Sequence, residues 1–321
     1  MASVTTAPLT EPKIAAPRKR TKVPKRPFRD RWLDKKGWSK RAPLLPAFIF
    51  VFLLTQLPFL ITIVISLLNW KVTRPDLFGF AWFGNFVTVF TDPAIRSQLF
   101  FTVVLTLTVV LISLLLGLGI ALLLNRDFFG RGVVRTMMIA PFLIVPVAAA
   151  QLFRYLMFDV NSGLFNGLLT LVNGPQIDWL TQFPRMAVEF ELIWQWTPFM
   201  TLILLAGLQS RPGDIIEAAS VDGASGLQTF RWITLPHMRR YLELAGLLGA
   251  VYIIQQFDTI YVFGGIGLGA ANLPYGVFNT LQNANDYGLA SAQGVIVVIG
   301  SIILATLVLR NLSSLFEEET R

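Results

Sequence analysis

The sequence predicts an all-α integral membrane protein of six transmembrane helices, with a cytoplasmic helical elbow between spans four and five. Three observations predict it. Hydrophobic residues make up 54% of the 321 and charged residues only 14%, whereas soluble domains are roughly a quarter charged. Six apolar runs are each long enough to cross a hydrocarbon core, which takes roughly 20 helical residues. The basic residues fall mainly to one side of those runs, and that bias sets an orientation.

Residues 1–42 form a basic tail. Residues 1–41 hold thirteen of the 27 Lys and Arg, against three acids, Glu11, Asp30 and Asp34. Its first half is rich in Ala, Thr, Pro and Lys and reads as disordered, because such a composition buries too little apolar surface to order itself. So basic a block suits nucleic acid. Directly before a membrane span it also suits an orientation signal in contact with anionic head groups. Its position favours the second reading, and no nucleic-acid partner is expected. A cleaved signal peptide is not expected either. The apolar run begins only near Pro43, after a long polar lead, and no small-residue cleavage site follows it.

The transmembrane domain is placed at 43–312, with spans at about 43–68, 97–124, 135–157, 187–209, 241–263 and 289–312. Helices are expected because lipid offers no partner for open backbone groups. The third span is interrupted by Pro141 and Pro146, and the fourth, with Glu189, Glu191 and Gln195, is the least apolar. With the amino terminus in the cytoplasm, 22 basic residues lie inside and five outside, namely Lys71, Arg74, Arg96, Arg154 and Arg185. The carboxy-terminal tail, 313–321, is then also cytoplasmic. Trp70, Trp82 and Trp179 fall near the outer face, where aromatic belts sit. The external segment 264–288, with Gly264, Gly265, Gly267, Gly269, Asn272 and Asn279, has two readings. It is a re-entrant or capping segment over a pathway, or a flexible loop with turn glycines.

Several chemistries are excluded. There is no cysteine, so disulfides, Cys metal sites and Cys nucleophiles are absent, and His237 is the single histidine. No Gly-x4-Gly-Lys-Ser/Thr phosphate loop occurs. Gly265-Ile266-Gly267-Leu268-Gly269 looks like a dinucleotide turn but opens no βαβ unit. No metal site and no enzymatic activity are expected of this chain.

The polar island between spans four and five, about 212–236, is too long for a plain connector. Pro212 suits a helix start, where a missing N–H is harmless. Asp214 and Glu217 are expected in the first turn, favoured by the helix dipole. Ile215, Ala218, Ala219 and Asp222 share a face, and Gly223 ends or bends the helix. A second stretch, Leu227 to Ile233, is expected to stop at Leu235-Pro236 before span five begins near Tyr241. An interfacial connector resting on lipid is the plainer alternative. The acids Asp214, Glu217 and Asp222 oppose it, since an anionic surface repels them. The island reads as a docking surface for another protein.

The spacing is also specific. Glu217-Ala218-Ala219-x3-Gly223-x9-Ile233-x-Leu235-Pro236 resembles the EAA motif of binding-protein-dependent ABC importer permeases and keeps every interval. Val221-Asp222-Gly223-Ala224, Thr234-Leu235-Pro236-His237, Pro198-Phe199-Met200, Phe257-Asp258-Thr259-Ile260-Tyr261-Val262 and Asp286-Tyr287-Gly288-Leu289-Ala290-Ser291-Ala292 are similar to the carbohydrate-uptake branch. The resemblance covers roughly residues 43–312. Within the branch, Ala140-Pro141-Phe142, Asn161-Ser162-Gly163, Trp194-Gln195-Trp196 and Leu205-Ala206-Gly207-Leu208-Gln209-Ser210 look most like sorbitol or mannitol permeases. One departure stands out: the family's Gly-Gly-Gly-Pro after span five is Gly264-Gly265-Ile266-Gly267 here.

The resemblance implies a coupling helix that fits a cleft on a separate ATPase, with Glu217, Ala218, Ala219, Asp222, Gly223, Ile233, Leu235 and Pro236 as the coupling residues. Glu217 would pair with a cation there, and Gly223 would permit the bend. It further implies a second permease subunit, two cytoplasmic ATPase subunits that carry the ATP and magnesium, and an extracytoplasmic solute-binding protein. No cofactor is implied on this chain. The setting is a prokaryotic inner membrane, and the cargo a sugar or sugar alcohol carried by alternating access.

Polar groups inside spans usually face a cavity or a helix partner. The candidates for a substrate path are Gln151, Tyr155, Gln195, Trp196, Tyr252, Gln255 and Asp258, which supply amides, a carboxylate and aromatic faces for a polyhydroxylated solute. Packing against neighbouring helices is the alternative for each. An ion-driven secondary transporter acting alone is the competing function. It predicts repeated halves and a buried charge relay, and no repeat relates 43–157 to 187–312. A membrane scaffold would leave the polar residues of spans three to five unexplained.

Overall fold

The computed structural model describes residues 42–318; the expected basic tail before residue 42 and residues 319–321 lie outside them. The chain divides into two units, one ending at Pro58 and the other starting at Phe59. The first contains a short turn, Ala42–Leu44, and the opening of helix α1, Leu45–Ser66. At 1.5 Å per residue α1 is about 33 Å long, enough to cross a hydrocarbon core.

The second unit begins with the end of α1. A two-residue hairpin follows, β1 (Leu68–Asn69) against β2 (Gly79–Phe80), then α2 (Gly84–Thr91). Asn85 Nδ2 donates to the Ser66 and Leu68 carbonyls at 2.9 and 2.8 Å, closing the corner. Asp92 caps α3 (Pro93–Leu124) by accepting from the Ala94 and Ile95 amides, with Pro93 in the first turn. The long α3 packs along α8 (Pro184–Gln209). At Gly117 the backbones come so close that a Cβ would sit 3.0 Å from Met200 Cβ and 3.1 Å from the Thr201 amide. Close approach at small residues is how helices gain packing in lipid, where water supplies no driving force. Around this seam lie Phe101, Leu105, Val109, Val188, Leu192 and Ile253, all buried.

The expected third span, 135–157, is not one rod. Helix α4 (Arg131–Leu143) and α5 (Pro146–Leu152), which continues as a wide π turn through Met157, meet at 98°. Pro146 supplies no amide, and the residue before a proline is pushed out of the helical region. Val145 accordingly has φ −58° and ψ 131°. Helix α6 (Leu164–Leu171) and the short α7 (Trp179–Gln182) then lead into α8.

After α8 come α9 (Gly213–Val221), α10 (Gly226–Thr229), a π turn at Phe230–Thr234 and α11 (Leu235–Ile253). The expected stop at Leu235-Pro236 does not occur. Pro236 sits in the first turn of α11. The widened turn ahead of it, closed by the Leu235 amide on the Phe230 carbonyl, makes room for a ring that would clash with a regular helical carbonyl. The expected fifth span, 241–263, is also interrupted. Helix α11 ends at Ile253, and α12 (Asp258–Val262) starts after a break. The segment beyond is ordered: a 3₁₀ turn (Gly265–Leu268) and α13 (Leu273–Gln282), with Asn272 and Leu273 fully buried. The open choice for 264–288 therefore falls on a packed helical segment. Helix α14 (Tyr287–Glu318) closes the fold, with Gly288 pressed to the Leu68 carbonyl and Tyr287 stacked on Trp70.

Among the described residues, four helices are long and apolar enough to cross a membrane: α1, α3, α8 and α14. The bent pair α4–α5 makes five. Helix α11 falls outside that set because Arg239, Arg240 and Glu243 occupy its first half.

Candidate functional site

The island folds as two short helices around a fixed corner. Gly223 has φ +78°, the left-handed region that glycine enters without a Cβ penalty. Its amide bonds to Ser220 and the Ala224 amide to Ala219, the paired pattern of a Schellman stop. Ser225 and Gln228 then form a reciprocal capping box that starts α10. The expected helix end at Gly223 is where the structure puts it. Glu217 lies one residue past the first turn rather than in it, because α9 begins at Gly213.

The corner is tied to the helices on either side. Arg211 donates to Thr234 Oγ1, joining the start of the island to its end. Partial burial holds the Arg211 guanidinium below the usual arginine value. Ser210 Oγ lies 2.6 Å from Tyr241 Oη, and His237 Nε2 lies 3.3 Å from both the Gly207 carbonyl and Ser210 Oγ. A Cβ at Gly207 would meet the Tyr241 ring at 2.5 Å, so α8 and α11 touch here without a spacer. Displacing the island therefore displaces the ends of both helices.

Its outer surface combines acids and apolar groups with one exposed cation, Arg231, over the Trp232 ring. Asp214, Glu217 and Asp222 are exposed, and among the described residues none of the three forms an ion pair. Val221 is 87% exposed, Leu227 76% and Trp232 71%. Ala218 faces outward and Ala219 is buried against the chain, so the two alanines do not share a surface. Ile233 is half-buried, while Leu235 and Pro236 are exposed.

The candidate path residues separate into groups. Gln195 is buried, and its Nε2 donates to the Ile144 carbonyl at 3.1 Å. That carbonyl belongs to the α4–α5 break, so Gln195 satisfies a backbone group that the break leaves open. Trp196 lies 5.5 Å from Tyr252, ring centre to ring centre, and also packs on Phe142 and Phe199. Tyr252 is 60% exposed. Gln151, Tyr155 and Gln255 are exposed, and Gln255, just past the end of α11, donates through Nε2 to the Val251 carbonyl of that helix. Asp258 is half-buried at the start of α12. The structure thus joins Trp196 to Tyr252, and places Gln195 in a backbone contact.

A buried polar chain was not legible as a unit. Glu191 is fully buried, and its Oε2 accepts from Thr259 Oγ1 at 2.9 Å. Thr259 Oγ1 accepts from Gln256 Nε2 at 3.2 Å. Asn272 Nδ2 donates to the Gln256 carbonyl at 2.6 Å, which serves the break between α11 and α12. The Leu273 amide donates to Thr102 Oγ1 on α3 at 2.8 Å. One run of contacts therefore joins α8, α12, α13 and α3. Glu191 and Gln256 stand out as polar residues within apolar spans, and Asn272-Leu273-Pro274 has the form of a capped helix start. Nothing in their spacing says that they meet.

At the turn after α5, Asp159 Oδ1 accepts from the Ser162 amide and hydroxyl and from the Asn161 amide. Those bonds, the Ser162 pair first, hold its carboxyl below the usual carboxylate range. The Asn161-Ser162-Gly163 segment is thus a tight turn. A Cβ on Gly163 would lie 2.3 Å from the Asp159 carbonyl. Among the described residues, no group of three or more His, Asp or Glu is placed to hold a metal ion.

Residues 113–317 match the sequence profile of a family described as the binding-protein-dependent transport system inner membrane component. The trehalose/maltose transport system permease protein of Thermococcus litoralis is 35% identical over 269 residues, covering 83% of this chain and 89% of that protein. The sulfoquinovosyl glycerol transport system permease protein of Agrobacterium fabrum is 30% identical over 286 residues, covering 87% and 92%. Among solved structures, a chain of a bacterial ABC transporter involved in import of the acidic polysaccharide alginate superposes with a TM-score of 0.75. It covers 88% of this chain and 98% of its own, at 21% identity, so that likeness concerns the fold.

Proposed function

We propose that this chain, which belongs to the binding-protein-dependent transport system inner membrane component family, carries a sugar or sugar alcohol into the cell as the permease of an ATP-driven importer. As a member of that family it is a multi-pass inner-membrane protein and the membrane component of its system, not the ATPase. The cargo class rests on relatives whose names specify trehalose/maltose and sulfoquinovosyl glycerol. These are glycosides, and they lend no support to narrowing the cargo to sorbitol or mannitol.

The observation that carries the reading is the island at 213–236. It keeps the full EAA spacing, ends its first helix at a glycine with positive φ, and presents exposed acids beside exposed apolar side chains. Such a surface suits a protein cleft lined with a cation and apolar walls, and suits an anionic membrane poorly. The basic residues, 22 against five, put the island and both termini in the cytoplasm. Six crossings result when α4–α5 and α11–α12 each count as one broken span.

The mechanism follows from the ties at the corner. Two cytoplasmic ATPases, holding ATP and magnesium, close on the coupling helices of this chain and of a second permease. The island moves as a rigid piece because Arg211–Thr234, Ser210–Tyr241 and His237–Gly207 bind it to the ends of α8 and α11. Those helices carry Gln195, Trp196 and Tyr252, with Gln255 just beyond, so the motion reaches the proposed path. Trp196 and Tyr252 offer aromatic faces to sugar C–H surfaces, and Gln151, Tyr155, Gln255 and Asp258 offer hydroxyl partners. An external solute-binding protein delivers the cargo. Alternating access opens the path outward with ATP bound and inward after hydrolysis.

The chain has no cysteine, so one introduced thiol reports unambiguously. Val221→Cys is expected to cross-link to the ATPase subunit in assembled transporter, and to resist a membrane-impermeant thiol reagent applied from outside intact cells. Labelling from outside, with no cross-link, contradicts the docking role.

A further inference from the structure

We infer that Tyr261, carried on a platform of packed rings, binds a second sugar ring of the cargo, so that the path takes a sugar of two or more rings rather than a sugar alcohol. Four rings meet where α12 faces α13. Phe257 stacks on Tyr261 at 5.4 Å and 26°, and on Tyr275 at 6.1 Å and 23°, ring centre to ring centre. Phe278 stands edge-on to Tyr261 at 5.5 Å and lies 5.2 Å from Phe257. The frame is tight. Gly265 has φ +50°, and it lies against the Tyr275 ring where any Cβ would collide. Tyr261 touches three rings and is still 53% exposed.

Two observations choose the occupant. The first is a stripe of exposure. Tyr252, Gln255 and Tyr261 are exposed and Asp258 is half-buried, each three residues from the next or in step with it, whereas Ile253, Ile254, Thr259 and Ile260 between them are buried. One open face therefore runs across the break, from Tyr252, which touches Trp196, to Tyr261. Its two aromatic ends are separate, because the rings that Tyr261 touches are Phe257, Tyr275 and Phe278, and neither Trp196 nor Tyr252 is among them. The second observation is chemistry. Among the described residues, the Asp258 carboxylate and the Tyr261 and Tyr275 hydroxyls form no hydrogen bond or ion pair. Hydrocarbon laid over this stripe would desolvate a carboxylate and give it no partner. A pyranose ring offers an apolar C–H face to Tyr261 and a rim of hydroxyls that donate to Asp258 and to Gln255 Oε1. Apolar walls with a few placed polar groups are the usual make-up of a small-ligand site. A linear sugar alcohol presents no ring face, and a single ring covers only one of the two aromatic ends.

This subsite rests on the cargo reading above, and on neither the membrane orientation nor ATP coupling. The probe is maltose, whose two rings give separate proton signals, added to the assembled transporter in detergent. Saturation-transfer NMR then reports which sugar C–H protons lie against aromatic side chains. Wild type is expected to pass saturation to both rings. Tyr261→Ala is expected to lose the transfer to one ring and to weaken maltose binding about tenfold, the effect of losing one aromatic face. Tyr261→Phe, which keeps the ring, is expected to pass saturation to both rings. Asp258→Asn is expected to do the same while binding about fivefold more weakly, since a charged acceptor makes the stronger hydrogen bond. Transfer to both rings in Tyr261→Ala, or no transfer to maltose in wild type, overturns the proposal. So does a Tyr261→Ala transporter that loses its second permease chain on purification, because the ring then serves a subunit contact. ATP-driven uptake by the same preparations separates the two readings. Maltose held on both aromatic ends without ATP-driven uptake sinks the importer and keeps the subsite, whereas ATP-driven maltose uptake whose KM is unmoved by Tyr261→Ala keeps the importer and overturns the subsite.

Discussion

Glu217→Lys is expected to lower ATP-driven uptake by about two orders of magnitude while leaving membrane insertion intact. Glu217 is exposed on α9 and has no ion pair within the described chain, so reversing its charge disturbs little of the fold. In the proposed complex it meets a cation in the ATPase cleft. Like charges facing each other across an interface cost several kcal/mol, and about 3 kcal/mol is about a hundredfold. Gly223→Pro is the companion test. Proline is fixed near φ −65°, whereas Gly223 sits at +78°, so the corner itself has to change. Both variants are expected to reach the membrane in normal amounts, to release the ATPase during purification and to lose coupling between hydrolysis and uptake. Uptake at wild-type rates in both contradicts the docking role.

Glu191→Ala is expected to destabilise the transmembrane domain by about 3 kcal/mol, as a lower melting midpoint of the detergent-solubilised protein. The truncation opens a cavity beside α12 and leaves the Thr259 hydroxyl without its acceptor. Thr259 in turn accepts from Gln256, whose carbonyl is held by Asn272, so the loss spreads to the break after α11. Glu191→Gln keeps an acceptor for Thr259 and is expected to fall within about 1 kcal/mol of wild type. A Glu191→Ala protein as stable as wild type shows that the chain of contacts is slack.

The apolar runs exposed four long helices and one bent pair in the sequence because lipid permits only helices there, whereas the expected span at 241–263 is broken after Ile253 and its helix carries Arg239, Arg240 and Glu243. The bend of the third span was signalled by Pro146, but the hydrogen bond that Gln195 makes to the Ile144 carbonyl at the break, a contact across 51 residues, was not. The continuation through Pro236 was misread because a proline ordinarily ends a helix, and a widened π turn is invisible to periodicity. At the island the helix end at Gly223 was legible because it acts through sequence neighbours, whereas the Ser225–Gln228 capping box, equally local, starts the second helix ahead of the expected Leu227. The buried chain from Glu191 to Asn272 was the least legible, since each link joins separate elements. Local chemistry reads from sequence; which distant polar residues find one another is settled by packing.

The measurement that bears most directly on the whole account is solute uptake into proteoliposomes holding this chain with its partner subunits and solute-binding protein. Uptake of a sugar or sugar alcohol that requires ATP on the ATPase side, and disappears when the ATPase subunits are omitted, is the predicted result. Uptake by this chain alone, driven by an ion gradient without ATP, contradicts it.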